Sequence, residues 1–346
     1  MSIKLPTDDS LERLDRDMAA KSLDGFWRVR LNVPSTPTTA VKPFLWKWAD
    51  VYESLMRAGK LVSPEDCERR VVRLVNPGIE DQRGVTSHTL QLGVQCVNPG
   101  EHASNHRHMV VALRFVVQGR GAYTIIEGQK CVMEEGDLIL NPRYLWHDHT
   151  NETDEPVIWL DGLDTPLLHS LQQKIFESHP DPYQTATIMS DEVGYLFGRA
   201  RSTSTPAFPF IHYRWRDTYD ALQALRQAPG ALDRFDGYLL EYRNPVTGGP
   251  TLPSIQCAIQ SLPPGYETDA HRHTSTVIYH VFEGTGTTYI NGQPFHWDKG
   301  DSFIAPLWHT HRHINRSSSK EAILFSMSDS PLLKSLELYR EESVSQ

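Results

Sequence analysis

One pattern in this chain occurs twice, and it limits the folds open to everything around it. His106-Arg107-His108 recurs 165 residues later as His271-Arg272-His273, and Gly119 recurs at the same offset as Gly284. Gly136-Asp137 and Pro142 recur as Gly300-Asp301 and Pro306 at an offset of 164. Beyond them, Leu145-Trp146-His147-Asp148-His149 matches Leu307-Trp308-His309-Thr310-His311 at an offset of 162, which implies that the second copy is two residues shorter after its proline. Aligned without that gap, the same loop puts His311 in the place of His147. The exits also correspond, Asp164-Thr165-Pro166-Leu167-Leu168 with Asp329-Ser330-Pro331-Leu332-Leu333. Ordered agreement over this length implies a duplicated domain.

Each copy reads as β structure. Short runs such as VVRLVNPG, HTLQLGVQCVNPG and YLLEYRNPVTGG are punctuated by Gly, Pro and Asn in the manner of a sandwich or barrel. Residues two apart on a strand leave the same face, so His106 and His108 converge, as do His271 and His273. An antiparallel meander through the turn at Glu135-Gly136-Asp137 brings His147 back to the first pair, and the repeat brings His309 to the second. Three neutral imidazoles on one side of a divalent ion hold it and leave positions open. A solitary His-x-His pair is more often a polar surface feature; its repetition, with a later histidine in each copy, points to metal.

The rest of the chain divides around these copies. At 346 residues it exceeds one ordinary core. An N-terminal helical segment is expected over residues 1–75, from LERLDRDMAAKSL behind Asp8, Asp9 and Ser10 as caps, and from LWKWADVYESLMRAGKL, whose Trp46 and Trp48 either line a site or pack in a core or subunit contact. The first barrel, with the principal metal site, is expected over 76–165. A helical and irregular connection over 166–235 contains LLHSLQQKIFES and the Pro- and Ser-containing RARSTSTPAFPF. The second barrel follows over 236–331, and a helix or tail over 332–346. Net charge is −9 and the sequence pI is near 6.0, which argues against nucleic acid or an anionic membrane as a partner. The polar first residues and the lack of a long apolar run lead to the expectation of a soluble cytoplasmic protein. Cys67, Cys96, Cys131 and Cys257 form no close pair and suggest neither disulfides nor a zinc ribbon.

The two histidine motifs, with their Gly, Gly-Asp and Pro positions, resemble the signature of the cupin superfamily, and their duplication resembles a bicupin. That resemblance implies a mainly β fold of two double-stranded β-helix (jelly-roll) barrels. The signature's glutamate, four residues after the second histidine, is here Ala112 and Val277. Three-histidine sites without it are used by ring-cleaving bicupins. The WKW segment, RLVNPG, ALRFVVQGRGAYTIIEG, the WLDGLD exit and YRNPVTGG are similar to gentisate 1,2-dioxygenase and its salicylate and 1-hydroxy-2-naphthoate relatives, over most of residues 40–335. The resemblance implies an Fe(II) enzyme, generally a homotetramer. It opens an aromatic acid between the carboxyl-bearing and hydroxyl-bearing carbons with O2, giving maleylpyruvate from gentisate. A bicupin decarboxylase or isomerase normally keeps the glutamate, and a storage or binding bicupin tends to lose the histidines.

Around His106, His108 and His147 four further residues are candidates. Arg114 lies six residues after His108, on the same strand face, and its planar fork suits a carboxylate. His149 and Asp161 are placed to handle a ring hydroxyl, and Gln95 to orient substrate or dioxygen. Each also has an ordinary role open to it: an ion-paired Arg, a solvated loop His, a turn-capping Asp, a buried Gln. In the second copy Gln260 repeats Gln95, and His311 stands for His149 on the gapped alignment, but Arg114 becomes Tyr279 and Asp161 becomes Ser326. Ring cleavage is therefore expected in the first copy. His271, His273 and His309, with His311 as the fallback third ligand, form a possible second metal site. Gentisate is favoured because its second hydroxyl gives His149 and Asp161 something to act on.

Overall fold

The computed structural model describes residues 9–28, 34–63, 67, 69–80, 84–189, 212–245 and 247–344, so the stretch RARSTSTPAFPF lies outside the described residues. The chain forms two compact units, Met1–Thr38 and Thr39–Gln346. In the first, the helix Asp9–Ala19 takes Asp9 and Ser10 into its first turn, where Asp9 and Glu12 set negative charge at the N-terminal end of the helix dipole. Arg28 Nε donates to Asp15 Oδ2 at 2.6 Å and ties the following turn back to this helix.

The second unit contains both barrels. The first consists of Gln91–Val97, His102–His108, Ala112–Gln118, Tyr123–Ile126, Gln129–Val132, Leu138–Asn141, His147–Thr150 and Val157–Leu163; the second repeats it strand for strand from Gln256–Leu262 to Ala322–Ser328. In the first barrel one sheet runs Leu138–Asn141, Ala112–Gln118, Val157–Leu163, Gln91–Val97, and the facing sheet runs His102–His108, His147–Thr150, Tyr123–Ile126, Gln129–Val132. This is the mainly β, doubled jelly roll that the repeat implied. No helix among the described residues is long and apolar enough to cross a membrane.

Alternation along the strands explains how the barrels meet. In Ala112–Gln118, Leu113 and Phe115 face outward into a cluster shared by both barrels, with Leu92, Val94 and Ile158 from the first and Cys257, Ile259, Phe325 and Met327 from the second. Phe115 stacks on Phe325 at 4.2 Å between centroids, a contact that adds about 0.5–1.5 kcal/mol to the area buried. The intervening residues face inward, where Val116 and Trp159 fill the first barrel and Val281, Trp297 and Phe303 the second. Covered on both faces, these strands read as nearly continuous apolar runs. The inward polar residues Gln91, Gln95, Arg114 and Asp161 are therefore exceptions that require partners.

Each Gly-Asp turn receives the first turn of a helix from another part of the chain. Gly136 and Gly300 have φ of +89° and +90°, and a Cβ would lie 2.5 Å from Trp215 Cγ and 2.6 Å from Trp48 Cγ respectively. Asp137 Oδ1 accepts the backbone N–H of Trp215 and Asp301 Oδ1 that of Trp48, each at 2.8 Å. Thus the helix Trp215–Gln227, from the connection, seats on the first barrel, and Trp48–Leu61, from the N-terminal region, seats on the second. Trp46 and Trp48 pack against the shared core.

Three segments expected as helix or tail are partly strand. Phe44–Trp46 pairs with Ser302–Ala305 of the second barrel, so the helix begins only at Trp48. In LLHSLQQKIFES the helix ends at Ser170, Gln172 turns with φ +56°, and Phe176–Ser178 pairs antiparallel with His106–His108. After the helix Ser330–Ser335, Glu341–Ser343 pairs with His271–His273 in the same way. An open barrel edge supplies backbone hydrogen bonds that outweigh weak helical preference.

Candidate active site

The first triad forms where two strands of one sheet face each other. His106 stands directly opposite His147, with a register irregularity just before His106. His108 leaves the same face, and the ring centroids lie 4.1, 4.9 and 5.4 Å apart. The three ligand atoms fall within 4.8 Å of one another. Each Nδ1 lies against a backbone carbonyl: His106 with Ser104 at 2.9 Å, His108 with Val110 at 2.7 Å and His147 with Leu145 at 2.9 Å. With Nδ1–H donated to these carbonyls, the tautomer is fixed and the lone pair sits on Nε2; that of His106 faces Arg69 Nη2 at 2.7 Å and that of His147 faces Asn141 Nδ2 at 3.3 Å, donors that a bound metal displaces. Burial pushes His106 down to about 2 and His108 to about 4, with the positive charge of Arg69 contributing to both, and holds His147 well below its ordinary value. Neutral, preoriented nitrogens are a donor set that fits a divalent transition metal.

A cavity of about 610 Å³ opens on this triad. Among the described residues its wall carries Arg69, Arg73, Arg114 and Lys174, the single acid Asp161, and the amides of Gln91 and Gln95, with Phe176 and Leu163 among its apolar members. Arg114 and Asp161 are cross-strand partners, Nε standing 3.7 Å from Oδ1, and Trp159 Nε1 donates to the same oxygen at 3.1 Å. Burial raises Asp161 and lowers Arg114, while each one's charge steadies the other. Nε and Nη1 of Arg114 are buried and make no hydrogen bond among the described residues. A buried guanidinium with unused donors on a cavity wall is matched by an anion such as a carboxylate.

Of the four candidates beyond the triad, Arg114, Asp161 and Gln95 line this cavity. His149 does not: it is buried against Trp159 at 5.5 Å and His147 at 5.7 Å, and neither ring nitrogen has a hydrogen-bond partner among the described residues. Sequence reasoning missed Arg69, Arg73, Gln91, Lys174 and Phe176. Arg69 Nη2 lies 2.7 Å from His106 Nε2. Val71 is in register with Gln95, so stepping by two along its strand leads to Arg69 and Arg73 once that pairing is known. Lys174 and Phe176 sit in the segment expected as helix and gave no such signal.

The second triad is His271, His273 and His311, again within 4.8 Å. His271 pairs across strands with His311 as His106 does with His147. His309, expected as the third ligand, instead lies two residues before that strand with its Nδ1 on the Leu307 carbonyl at 3.0 Å. The loop has no gap. Tyr144 and Trp308 are the same left-handed turn residue, with φ of +63° and +59°. Their N–H groups donate to the carbonyls of His108 and His273 at 2.8 and 2.7 Å, and their rings lie beneath Arg107 and Arg272. The offset therefore stays at 164, so His147 corresponds to His311 and His149 to His313. The repeated letters Leu-Trp-His suggested a deletion that the backbone does not contain.

A duplicated jelly roll with a three-nitrogen centre in each barrel defines a metal-binding bicupin. Residues 93–162 and 258–328 each match the cupin domain family. The chain is 39% identical over 342 residues to a 5-aminosalicylate 1,2-dioxygenase of Comamonas sp., covering 96% of this chain and 90% of that protein. It is 34% identical to a gentisate 1,2-dioxygenase of Aquipseudomonas alcaligenes, covering 94% of each. The crystal structure of salicylate 1,2-dioxygenase from Pseudoaminobacter salicylatoxidans, in adducts with gentisate, superposes with a TM-score of 0.89 at 29% identity, covering 100% of this chain and 97% of that one. The chain belongs to this family of ring-cleaving 1,2-dioxygenases, which includes the gentisate, salicylate, aminosalicylate and hydroxynaphthoate enzymes.

Proposed function

We propose that the protein cleaves gentisate with O2 to maleylpyruvate, in the first barrel, as an Fe(II) enzyme held by His106, His108 and His147. Iron bound there supplies the Lewis-acid charge and the redox capacity to activate dioxygen. Both oxygen atoms enter the product, so the reaction needs no external reductant. Arg114 and the neighbouring Arg69 receive the substrate carboxylate, and the basic wall as a whole concentrates an aromatic acid. Gln95 hydrogen-bonds the bound ligand, and Phe176 shields one side of the ring from water. Fixing the acid and dioxygen in one cavity turns their encounter into an effectively unimolecular step, an advantage that reaches about 7–11 kcal/mol in well-oriented systems.

The observation that carries the choice of substrate is Asp161, the one acid among the described residues of an otherwise basic cavity wall. Its carboxylate accepts a hydrogen bond from a donor on the ring position para to the first hydroxyl. Gentisate has a hydroxyl there, and unsubstituted salicylate has nothing. The same observation supports 5-aminosalicylate as the second reading, since its amino group donates equally well. Family membership alone supports salicylate and 1-hydroxy-2-naphthoate as well; we rank them lower because unsubstituted salicylate offers Asp161 no donor at that position. Assembly as a homotetramer is part of the proposal and is checked by light scattering.

The test is kcat/KM for gentisate, 5-aminosalicylate and salicylate with iron-reconstituted wild type and Asp161→Asn. Loss of one charge-assisted hydrogen bond lowers the gentisate-to-salicylate ratio by about 10-fold or more. An unchanged ratio contradicts the role of Asp161, and absence of turnover with every aromatic acid contradicts the function.

A further inference from the structure

The residues around the second triad differ from those around the first position by position, and the cations are lost. Val71 and Leu239 both pair with the repeated glutamine, Gln95 or Gln260, so their strands are equivalent. Two residues on from each, Arg73 is replaced by Glu241; two residues before, Arg69 is replaced by Gly237. Arg114, opposite Asp161, is replaced by Tyr279, opposite Ser326. Phe176, opposite His108, is replaced by Glu341, opposite His273. The same offset puts Tyr339 in the place of Lys174. All four cations of the first wall are absent from the second.

What replaces them is a glycine, two phenols and one acid, Glu241, which is ion-paired with Arg243. Tyr339 stacks on His273 at 6.5 Å and donates to Glu341 Oε2 at 2.9 Å. The Glu341 carboxylate acts on His273, and Asp236 and Glu341 both act on Tyr279. Burial, with Asp233, Glu341 and Glu241 nearby, raises Asp236 to about 7. The exposed Lys334 lies over Tyr339 at 4.8 Å and acts weakly on His273. The ligand side is prepared nonetheless. His273 and His311 set Nδ1 against the carbonyls of Ser275 and His309 at 2.8 and 3.1 Å, while the buried His311 Nε2 has no hydrogen-bond partner among the described residues.

We propose that the second barrel is a cation-only site: His271, His273 and His311 bind a divalent transition metal, Glu341 balances its charge, and a surround that lacks the first barrel's cations excludes aromatic carboxylates. Neutral imidazoles bind the ion without neutralising it. A carboxylate beside the ligands then increases its affinity and repels a second anion. Because Glu341 lies on the C-terminal strand, the ion also fastens that strand to the barrel. The exclusion of substrate rests on the proposal that the first barrel takes an aromatic acid; the binding of metal does not.

The test is anaerobic titration of metal-free, full-length protein with Co(II), followed by visible absorption and then by addition of gentisate. Wild type is expected to bind two equivalents, with gentisate shifting the bands of one. His273→Ala is expected to bind one equivalent that responds to gentisate, and His108→Ala one that does not. In His108→Ala, the further change Glu341→Gln weakens Co(II) binding by about 10-fold. A single equivalent in wild type overturns the proposal, and so does a gentisate shift in both equivalents; neither result depends on a variant folding. Two equivalents with no gentisate response supports the cation site and overturns the aromatic-acid reading of the first barrel.

Discussion

The two barrels hold their histidines almost identically and surround them differently: the cations of the first wall have no counterparts at the matching positions of the second. Both triads use two residues of one strand and the first residue of the strand opposite, and burial keeps the imidazoles neutral in both. The outer architecture is equally shared: Arg107 pairs with Glu177 and Arg272 with Glu342. Only the wall facing the triad diverges, from Arg73, Arg114 and Lys174 to Glu241, Tyr279 and Tyr339. The histidine framework thus specifies the metal, and residues from neighbouring strands specify what joins it. Duplication preserved the first property and let the second change.

That comparison predicts unequal effects of equivalent substitutions. The largest is expected at the wall. Arg114→Ala removes a buried cation opposite the substrate carboxylate, and losses of this kind run to about 2–5 kcal/mol, so KM for gentisate rises by roughly 30-fold or more. Its counterpart, Tyr279→Phe, leaves KM unchanged in the same steady-state assay. A comparable rise from Tyr279→Phe breaks the division of labour. A smaller and equal effect is expected where the barrels are alike. Gly136→Ala and Gly300→Ala each set a Cβ against a tryptophan ring at positive φ, and each lowers stability by about 2 kcal/mol in denaturant unfolding. A large inequality shows that the helices seated on the two turns do not do equivalent work.

The repeat made the bicupin legible because each motif residue has a local reason: glycine for a positive-φ turn, aspartate for an exposed backbone N–H, two histidines for one strand face. Arg114, Asp161 and Gln95 were legible by the same alternation, as polar residues inside apolar strands. His149 was read as a proton-transfer group, but the same alternation that brings it beside His147 seals it against Trp159. The third ligand of the second site was misaligned because letter identity in a loop carries less information than the left-handed turn at Tyr144 and Trp308. The basic wall was mostly illegible. Arg69, Arg73 and Lys174 belong to segments that pair with the barrel or lie beside it, and their facing depends on a register set by tertiary contact.

The central claim is that ring cleavage belongs to the first barrel, and paired ligand substitutions test it most directly. Oxygen uptake with gentisate is measured for iron-reconstituted His108→Ala and His273→Ala, with circular dichroism to establish that both are folded. The account predicts a loss of more than about 100-fold for His108→Ala, exceeding the usual effect of changing a residue that only supports a metal ligand, and retention of most activity by His273→Ala. Folded His273→Ala protein that keeps one iron per chain but no longer consumes oxygen contradicts it.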